Sequence, residues 1–402
     1  MAEKSEIKEP AGFEGSEKPG AKGTGERAGK RAGTEIRESR IKDIVTVCVM
    51  AAFFLVFFVW CLFKPADETS DSERRKLAAM PEFKLSSVLS GKFMQDFEDY
   101  ATDQFPLRNG FRTIKSYTAF YLLWQRDVGG IYLRDGYASK LEYPLNTDSL
   151  DNAAARFGHI YDKYLSGKNV NIYMSVIPDK NYFLAGQNGY PVMDYGKMVS
   201  YLREKTGYVQ YIDIFDCLEL SDYYRTDTHW RQEKIVDVAQ KLGEGMGVTL
   251  SGQYDTRLLD KPFYGVYYGQ SALPLPAEQL YYLDSDIIGS CKVYDYETNS
   301  DAEVYDMEKA QGKDPYEIFL SGPKSLMAIE NPAGPADRRL IIFRDSFGSS
   351  IAPLLIEGYG EIVLVDIRYL SSDMLGNFMD FDNSDVLFLY STLVLNNSVT
   401  MK

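Results

Sequence analysis

Histidine is nearly missing: the chain has two in 402 residues, His159 and His229. Cysteine is almost as rare, with four residues and no CxxC or Cys/His grouping. These shortages argue against a metal site built on soft ligands. A hard cation needs only oxygen and stays open as a minor alternative; no metal and no cofactor is expected. Cys48 and Cys61 lie in an apolar run, which leaves Cys217 and Cys291 either to pair or to remain free. Bases are also short, with 44 Lys and Arg against 58 Asp and Glu, a net charge of −14. Nucleic acid is disfavoured as a partner, because phosphates demand basic patches.

Charge is absent from residues 44–63, IVTVCVMAAFFLVFFVWCLF. About twenty apolar residues are what a helix needs to cross a bilayer. A secretory signal starts nearer the N-terminus and ends at a small-residue cleavage site; here Lys64 and Pro65 follow. The run reads as an uncleaved single-pass anchor in the cell membrane. Lys30, Arg31, Arg37, Arg40 and Lys42 crowd its N-terminal side. That bias keeps this side cytoplasmic and sends residues 64–402 outside. Large apolar residues are scarce in residues 1–43, so this stretch is expected to be a disordered cytoplasmic tail.

What the chain has is pattern. Residues 64–90 read as a polar stalk. Residues 91–150 form a lead-in. In GKFMQDFEDYATDQFP, Phe93, Met94, Phe97 and Tyr100 recur at helical spacing. Pro106 interrupts the helix, and a second stretch runs to Trp124. GGIYLRDGYASKLEY then reads as a hairpin turning at Asp135-Gly136. From residue 151 to 402 helical and β-prone segments alternate: helix DNAAARFGHIYDKYL, strand VNIYMSVIP, helix 196–206, strand YVQYIDI, helix RQEKIVDVAQKLGEGMG. Strand RRLIIF, helix SIAPLLIEGYG and strands EIVLVD and DVLFLYS close the chain. Such alternation predicts an α/β domain with a mainly parallel sheet covered on both faces. Residues 252–336, rich in Tyr, Asp, Gly and Pro, read as a β-rich insertion. The 30 Tyr and 22 Phe suit a core, and they also suit an extended binding groove.

Two short stretches carry chemistry. In LIIFRDSFGSS, residues 340–350, Ser346 stands between a buried strand and a helix. A tight strand-to-helix turn exposes a serine and aims free backbone N–H groups at whatever it attacks. Serine there is also the commonest kind of helix N-cap. In YYRTDTHW, residues 223–230, Asp227 precedes His229 by two. In extended chain these side chains face the same way. A carboxylate so placed can take the Nδ1 proton and leave Nε2 free as a base; Asp227 as a plain helix cap is the alternative. His159 falls within an amphipathic helix and reads as structural or surface.

Four stretches together resemble the DHHW family: GKFMQDFEDYATDQFPLRNGF (91–111), VIPDKNYF (176–183), YRTDTHW (224–230) and FRDSFGSS (343–350). That family is related to the SGNH-hydrolase-like domains of periplasmic alginate O-acetylation proteins of the AlgJ and AlgX type. The resemblance spans roughly residues 70–395. It implies a three-layer SGNH-hydrolase-like domain and a catalytic triad of Ser346, His229 and Asp227. It further implies O-acetyl transfer to, or removal from, an exopolysaccharide or cell-wall glycan, with a membrane-bound O-acyltransferase as partner. The chain departs from the family pattern at Thr228, where a second histidine is expected, and at Arg344, where glycine is usual. No clear counterpart of the oxyanion glycine and asparagine is present; Asn181, Lys180, Ser391 and Arg344 are the substrate or oxyanion candidates. Two functions stand side by side. One is an anchored acetyltransferase or acetylesterase. The other is a non-catalytic, anchored glycan-binding or scaffold protein with a decayed site.

Overall fold

The computed structural model describes residues 24–402. The part of the expected tail before residue 24 lies outside the described residues. The rest of it, 24–43, is helical and continues into the apolar run as one helix, Thr24–Phe63. This corrects the expectation of disorder there. Arg, Lys, Glu and Ala favour helix once a nucleus exists, and the apolar run supplies the nucleus. Within this helix, Ser39–Phe63 is long and apolar enough to cross a membrane, and none of its most apolar stretch is buried in protein.

The remainder, from Asp67 onward, is built around an eight-stranded sheet. Its strands in chain order are β1 (Val170–Ile177), β2 (Gln210–Tyr211), β3 (Lys292–Asp295), β4 (Ser300–Ala302), β5 (Leu326–Glu330), β6 (Arg339–Arg344), β7 (Glu361–Val365) and β8 (Ser384–Ser391). They lie in the order β4-β3-β5-β7-β6-β8-β1-β2. β7, β6, β8, β1 and β2 run parallel, while β5, β3 and β4 extend the sheet antiparallel from β7. Every residue of β8 is buried. Leu387 and Leu389 enter one core, and Val386, Phe388 and Tyr390 enter the other. β6 alternates likewise, with Leu340 and Ile342 on one side and Ile341 and Phe343 on the other. A strand buried on both faces reads as a continuous apolar run. Helices Val236–Gly245 and Phe347–Leu355 fill the first core; Thr147–Ile160 and Tyr195–Lys205 fill the second.

Two segments differ from their sequence reading. Residues 252–336 are β-rich, with a hairpin Asp255–Phe263/Glu278–Asp284, but they also supply β3, β4 and β5 to the main sheet. These strands are short, and only single-turn helical pieces, Met307–Ala310 and Pro315–Ile318, lie between β4 and β5, so they lack the α/β rhythm. The polar stalk is partly ordered. Thr69–Ser70 pairs with Arg75–Lys76, and Arg75 clasps Asp103 through bonds of 2.8 and 2.6 Å. Asp103 ends helix Lys92–Asp103; helix Arg108–Tyr117 begins beyond Pro106. Cys217 and Cys291 are unpaired, and burial pushes the Cys291 thiol up to about 11.

Candidate active site

The parallel strands end together, and three of their carboxyl ends shape the site. Open α/β sheets bind ligands at this edge. β6 runs into Asp345 and then Ser346, the first residue of the turn into helix Phe347–Leu355. Asp345 folds the turn. Its Oδ1 accepts from Phe347 N at 3.0 Å, and its Oδ2 accepts from Ser391 N, at the end of β8, at 2.8 Å. Gly348 is required by packing, because a Cβ there would lie 2.5 Å from Arg344 Cβ. The Ser346 N–H donates to no group among the described residues.

The loop carrying Asp227 and His229 is a tight excursion. Tyr223 bridges to Trp230, Tyr224 N donates to His229 O at 3.1 Å, and Arg231 N to Asp222 O at 2.7 Å. Its base is tied to the end of β1 through Tyr223 Oη, which donates to Pro178 O at 2.5 Å. Its tip is held from the 252–336 segment. Glu278 accepts from Arg225 N, Thr226 N and Thr226 Oγ1 at 2.6–2.7 Å. Gly265 lies so close that a Cβ would sit 2.2 Å from Thr226 O.

These constraints bring Asp227, His229 and Ser346 into one line. Asp227 Oδ1 accepts from His229 Nδ1 at 2.6 Å, and His229 Nε2 lies 2.7 Å from Ser346 Oγ. Asp227 is fully buried, and Ser346 is half-buried. Val266 N donates to the second carboxylate oxygen at 2.7 Å, and Arg74 approaches it at 3.4 Å. Burial alone would raise the Asp227 carboxyl, but the His229 charge, its hydrogen bond, Arg74 and the Val266 N–H together hold it well below the usual range. The Tyr316 ring stacks on the imidazole, centroids 4.0 Å apart and planes within 11°. Tyr316 Oη and Trp230 Nε1 both donate to Ser350 Oγ at 2.8 Å, which ties the ring and the loop to the Ser346 helix.

The four remaining candidates follow or end these strands, and their polar groups are taken up by other partners. Asn181 is spent: its Oδ1 accepts from Tyr132 Oη at 2.7 Å, and its Nδ2 donates to Lys140 O at 2.5 Å. Lys180 is buried, with Nζ on Ala138 O (2.5 Å) and Tyr224 O (2.8 Å), so it braces the base of the Asp227 loop. Burial pushes its ammonium down to about 7. Ser391 caps helix Thr392–Leu395 and supports Asp345 through its N–H. Arg344 is buried under the helix and reaches Lys324 O at 3.1 Å. Each is engaged structurally, which corrects the oxyanion assignment. His159 is exposed, 3.0 Å from Asp373. Among the described residues no group of three or more His, Cys, Asp or Glu forms a metal-sized cluster. Sequence reasoning missed Arg74, Asp314, Tyr316 and Val266. All come from segments distant in the chain, and no local pattern announces them.

The fold and the site define an α/β domain with an aligned Asp, His and Ser at the carboxyl edge of its parallel strands. Solved structures narrow the fold. A DHHW family protein from Eubacterium siraeum aligns over 67% of this chain and 93% of its own, at 23% identity and a TM-score of 0.55. Bacillus cereus PatB1 aligns over 66% of this chain and 96% of its own, at 19% identity and a TM-score of 0.54. PatB1 carrying a sulfonyl adduct aligns similarly, covering 66% of this chain and 95% of its own at 18% identity and a TM-score of 0.52. The chain therefore has the fold of a DHHW family protein. No family model and no curated protein matches the sequence.

Proposed function

We propose that the protein is a membrane-anchored, extracytoplasmic SGNH-like acyl-ester enzyme, with a three-layer domain and a β-rich insertion, that moves acetyl groups on an exopolysaccharide or cell-wall glycan. The observation that carries the reading is His229 bridging Asp227 at 2.6 Å and Ser346 at 2.7 Å. Nothing in a merely structural N-cap requires an imidazole on the hydroxyl. Ser346 has no capping hydrogen bond from its side chain.

In this reading Ser346 Oγ attacks the acetyl carbonyl and passes its proton to His229 Nε2. The carbonyl oxygen becomes an oxyanion, met by the free Ser346 N–H at the helix start. The C–O bond to the donor alcohol breaks, and His229 returns the proton to that oxygen. Acetyl-Ser346 remains. In the second half, an acceptor hydroxyl gives its proton to His229 and takes the acetyl group. A sugar hydroxyl makes the protein a transferase; water makes it an esterase. Asp227 holds the imidazole in the tautomer that presents Nε2. The apolar helix tethers the domain to the membrane, where a membrane-bound O-acyltransferase delivers acetyl groups.

The test is to incubate the full-length chain with p-nitrophenyl acetate, with and without an acceptor oligosaccharide, and to weigh the protein. An adduct of one acetyl group on Ser346 is expected, absent in Ser346→Ala. Equal turnover by the parent and Ser346→Ala would leave the scaffold reading standing instead.

A further inference from the structure

Residues 67–76 look like a spacer between an apolar helix and a domain. The structure gives them a different job. The segment doubles back as the Thr69–Ser70/Arg75–Lys76 pair, with Leu77 N donating to Glu68 O at 2.9 Å. Arg74 sits in its turn with φ +52°, a left-handed conformation that only glycine adopts freely. The residues on either side are both clamped. Glu73 pairs with Arg108 and, at 3.3 Å, with Arg112; Arg75 pairs with Asp103 at 2.6 Å. Ser72 O lies where a Cβ on Gly269 would fall, at 1.4 Å, so the segment is pressed against helix Val266–Ser271. Such a strained and doubly anchored turn aims one side chain, and that side chain points at the site.

The Arg74 guanidinium is mostly buried and has three protein oxygens around it. Its Nη1 donates to Asp314 Oδ2 at 2.6 Å and approaches Asp227 Oδ2 at 3.4 Å; its Nη2 donates to Tyr264 O at 2.6 Å. The Phe263 ring lies beneath it, 5.8 Å from the guanidinium carbon. One cation thus stands between two carboxylates, Asp227 and Asp314. Asp227 also carries the His229 contact on its other oxygen. Asp227 is fully buried and the Asp314 side chain only 24% exposed, and two such carboxylates with no cation between them cannot both stay charged at small cost.

Resting on the acyl-transfer reading above, we propose that Arg74 is a positioning residue of the Asp227–His229–Ser346 site. It fixes the second oxygen of Asp227 and balances Asp314, so that Asp227 keeps its charge and its alignment with His229 Nδ1. Arg74 touches no reacting atom and acts through Asp227 alone. Removal of Arg74 leaves Asp314 repelling Asp227. The Asp227 carboxylate then turns or takes a proton, and the imidazolium formed in each half-reaction loses its counter-charge. The effect falls on the chemical step rather than on substrate binding, so it appears in kcat and not in KM.

The test compares full-length parent, Arg74→Gln, Arg74→Lys and the double variant Arg74→Gln/Asp314→Asn in detergent micelles, with p-nitrophenyl acetate as probe and Ser346→Ala as control. We expect Arg74→Gln to lower kcat ten- to a hundredfold with KM within twofold. The double variant, which removes the orphaned charge, should recover at least half of that loss on a logarithmic scale. Arg74→Lys keeps the charge but not the fork that spans Asp314 and Tyr264 O, so it should fall between parent and Arg74→Gln. A purely structural ion pair gives another pattern: lower thermal stability, unchanged kcat in the folded fraction, and no recovery in the double variant. That pattern, or a parent-like kcat in Arg74→Gln, overturns the proposal. Should Arg74→Gln not fold, a parent-like kcat in Arg74→Lys overturns it, and a reduced kcat at unchanged KM supports it. If the parent and Ser346→Ala turn over alike, the acyl-transfer reading itself fails and takes this inference with it. If Ser346→Ala is inactive and only Arg74→Gln is normal, the failure belongs to Arg74.

Discussion

The Ser346 turn and the Asp67–Lys76 segment reach the same site by different means. Ser346 is positioned by local chain geometry: a buried strand stops, Asp345 ties the turn, and a helix begins. Arg74 is positioned by ion pairs to residues far along the chain: Asp314 for itself, Asp103 and Arg108 for its neighbours. The first arrangement is set by packing of apolar strand and helix and resists solvent. The second depends on charges, several of them partly exposed, and is weaker per contact. A site assembled from both should therefore show two grades of fragility, one tied to the core and one to the surface.

The largest effect falls on the core-built part. His229→Ala should lower kcat on p-nitrophenyl acetate by at least about a thousandfold, and Ser346→Ala by a comparable factor, since residues acting as a unit lose together. The double variant should be no worse than either single one. Independent, multiplying losses in the double variant would mean that the two side chains do not work on one proton. Folding should be nearly untouched, because a serine at a helix start changed to alanine costs about 1 kcal/mol at most here.

Much of this core-built part was legible. β1, β6, β7 and β8 are apolar runs between helical segments, and both the buried sheet and the turn at Ser346 follow from them. Asp227 and His229 stood out by their two-residue spacing, but the chain there is bent rather than extended. Asp227 Oδ1 accepts from both His229 N at 3.1 Å and His229 Nδ1 at 2.6 Å, so a local turn and not strand alternation puts them together. The oxyanion candidates were not legible. Asn181 and Lys180 follow β1 at the proper edge, yet their polar atoms are consumed by Tyr132, Lys140, Ala138 and Tyr224. A sequence shows that a polar residue is near a strand end, and not which partner it finds. β3 to β5 were hidden for another reason: antiparallel neighbours need no helical crossover, so the periodicity that marks parallel strands is missing. Arg74 was invisible because nothing in a polar, charged run distinguishes a solvated arginine from one that folds back on Asp314.

Two glycines separate the regions by experiment. Gly348→Ala forces a Cβ to 2.5 Å from Arg344 Cβ, within the core. The strand-to-helix turn must shift, at about 1–3 kcal/mol, so global stability and turnover should fall together. Gly269→Ala meets the backbone of Ser72 instead. There the lighter element yields, and residues 67–76 should lift away while the sheet stays folded. Limited trypsin digestion should then cut at Arg74, Arg75 or Lys76 far faster than in the parent, with the thermal midpoint changed by only a few degrees. Equal protection in Gly269→Ala and parent would show that the segment is held more firmly than its ion pairs suggest.

The smallest effect is a dependence on acid, and it belongs to the surface-built part. Asp103 accepts two bonds from Arg75 and one from Ala78 N at 2.9 Å. The Arg75 hydrogen bond, aided by that N–H and outweighing burial, holds the Asp103 carboxyl at about 2. An unfolded or released aspartate titrates near 3.9, about two pH units higher. The native pair therefore binds fewer protons than the released one between these values. Its stabilisation is fully present above about pH 4 and is lost as the pH falls toward 2. Glu73, lowered by its contacts with Arg108 and Arg112 against the opposing effect of burial, changes in the same direction. Because the Arg75 side chain is 41% exposed, solvent screens the pair, and its share is on the order of 1 kcal/mol. Cutting beside Leu77 by pepsin, a protease active in acid, should rise relative to Asp103→Asn as the pH of the digest drops from about 4.5 to about 2.5, before any loss of the far-ultraviolet signal of the sheet and helices. Asp103→Asn should give a segment already partly released at neutral pH, whose cutting changes less with acid than the parent's. If release in the parent instead coincided with unfolding of the whole domain, residues 67–76 and the parallel sheet would form one cooperative unit, and the division between the two regions would not hold.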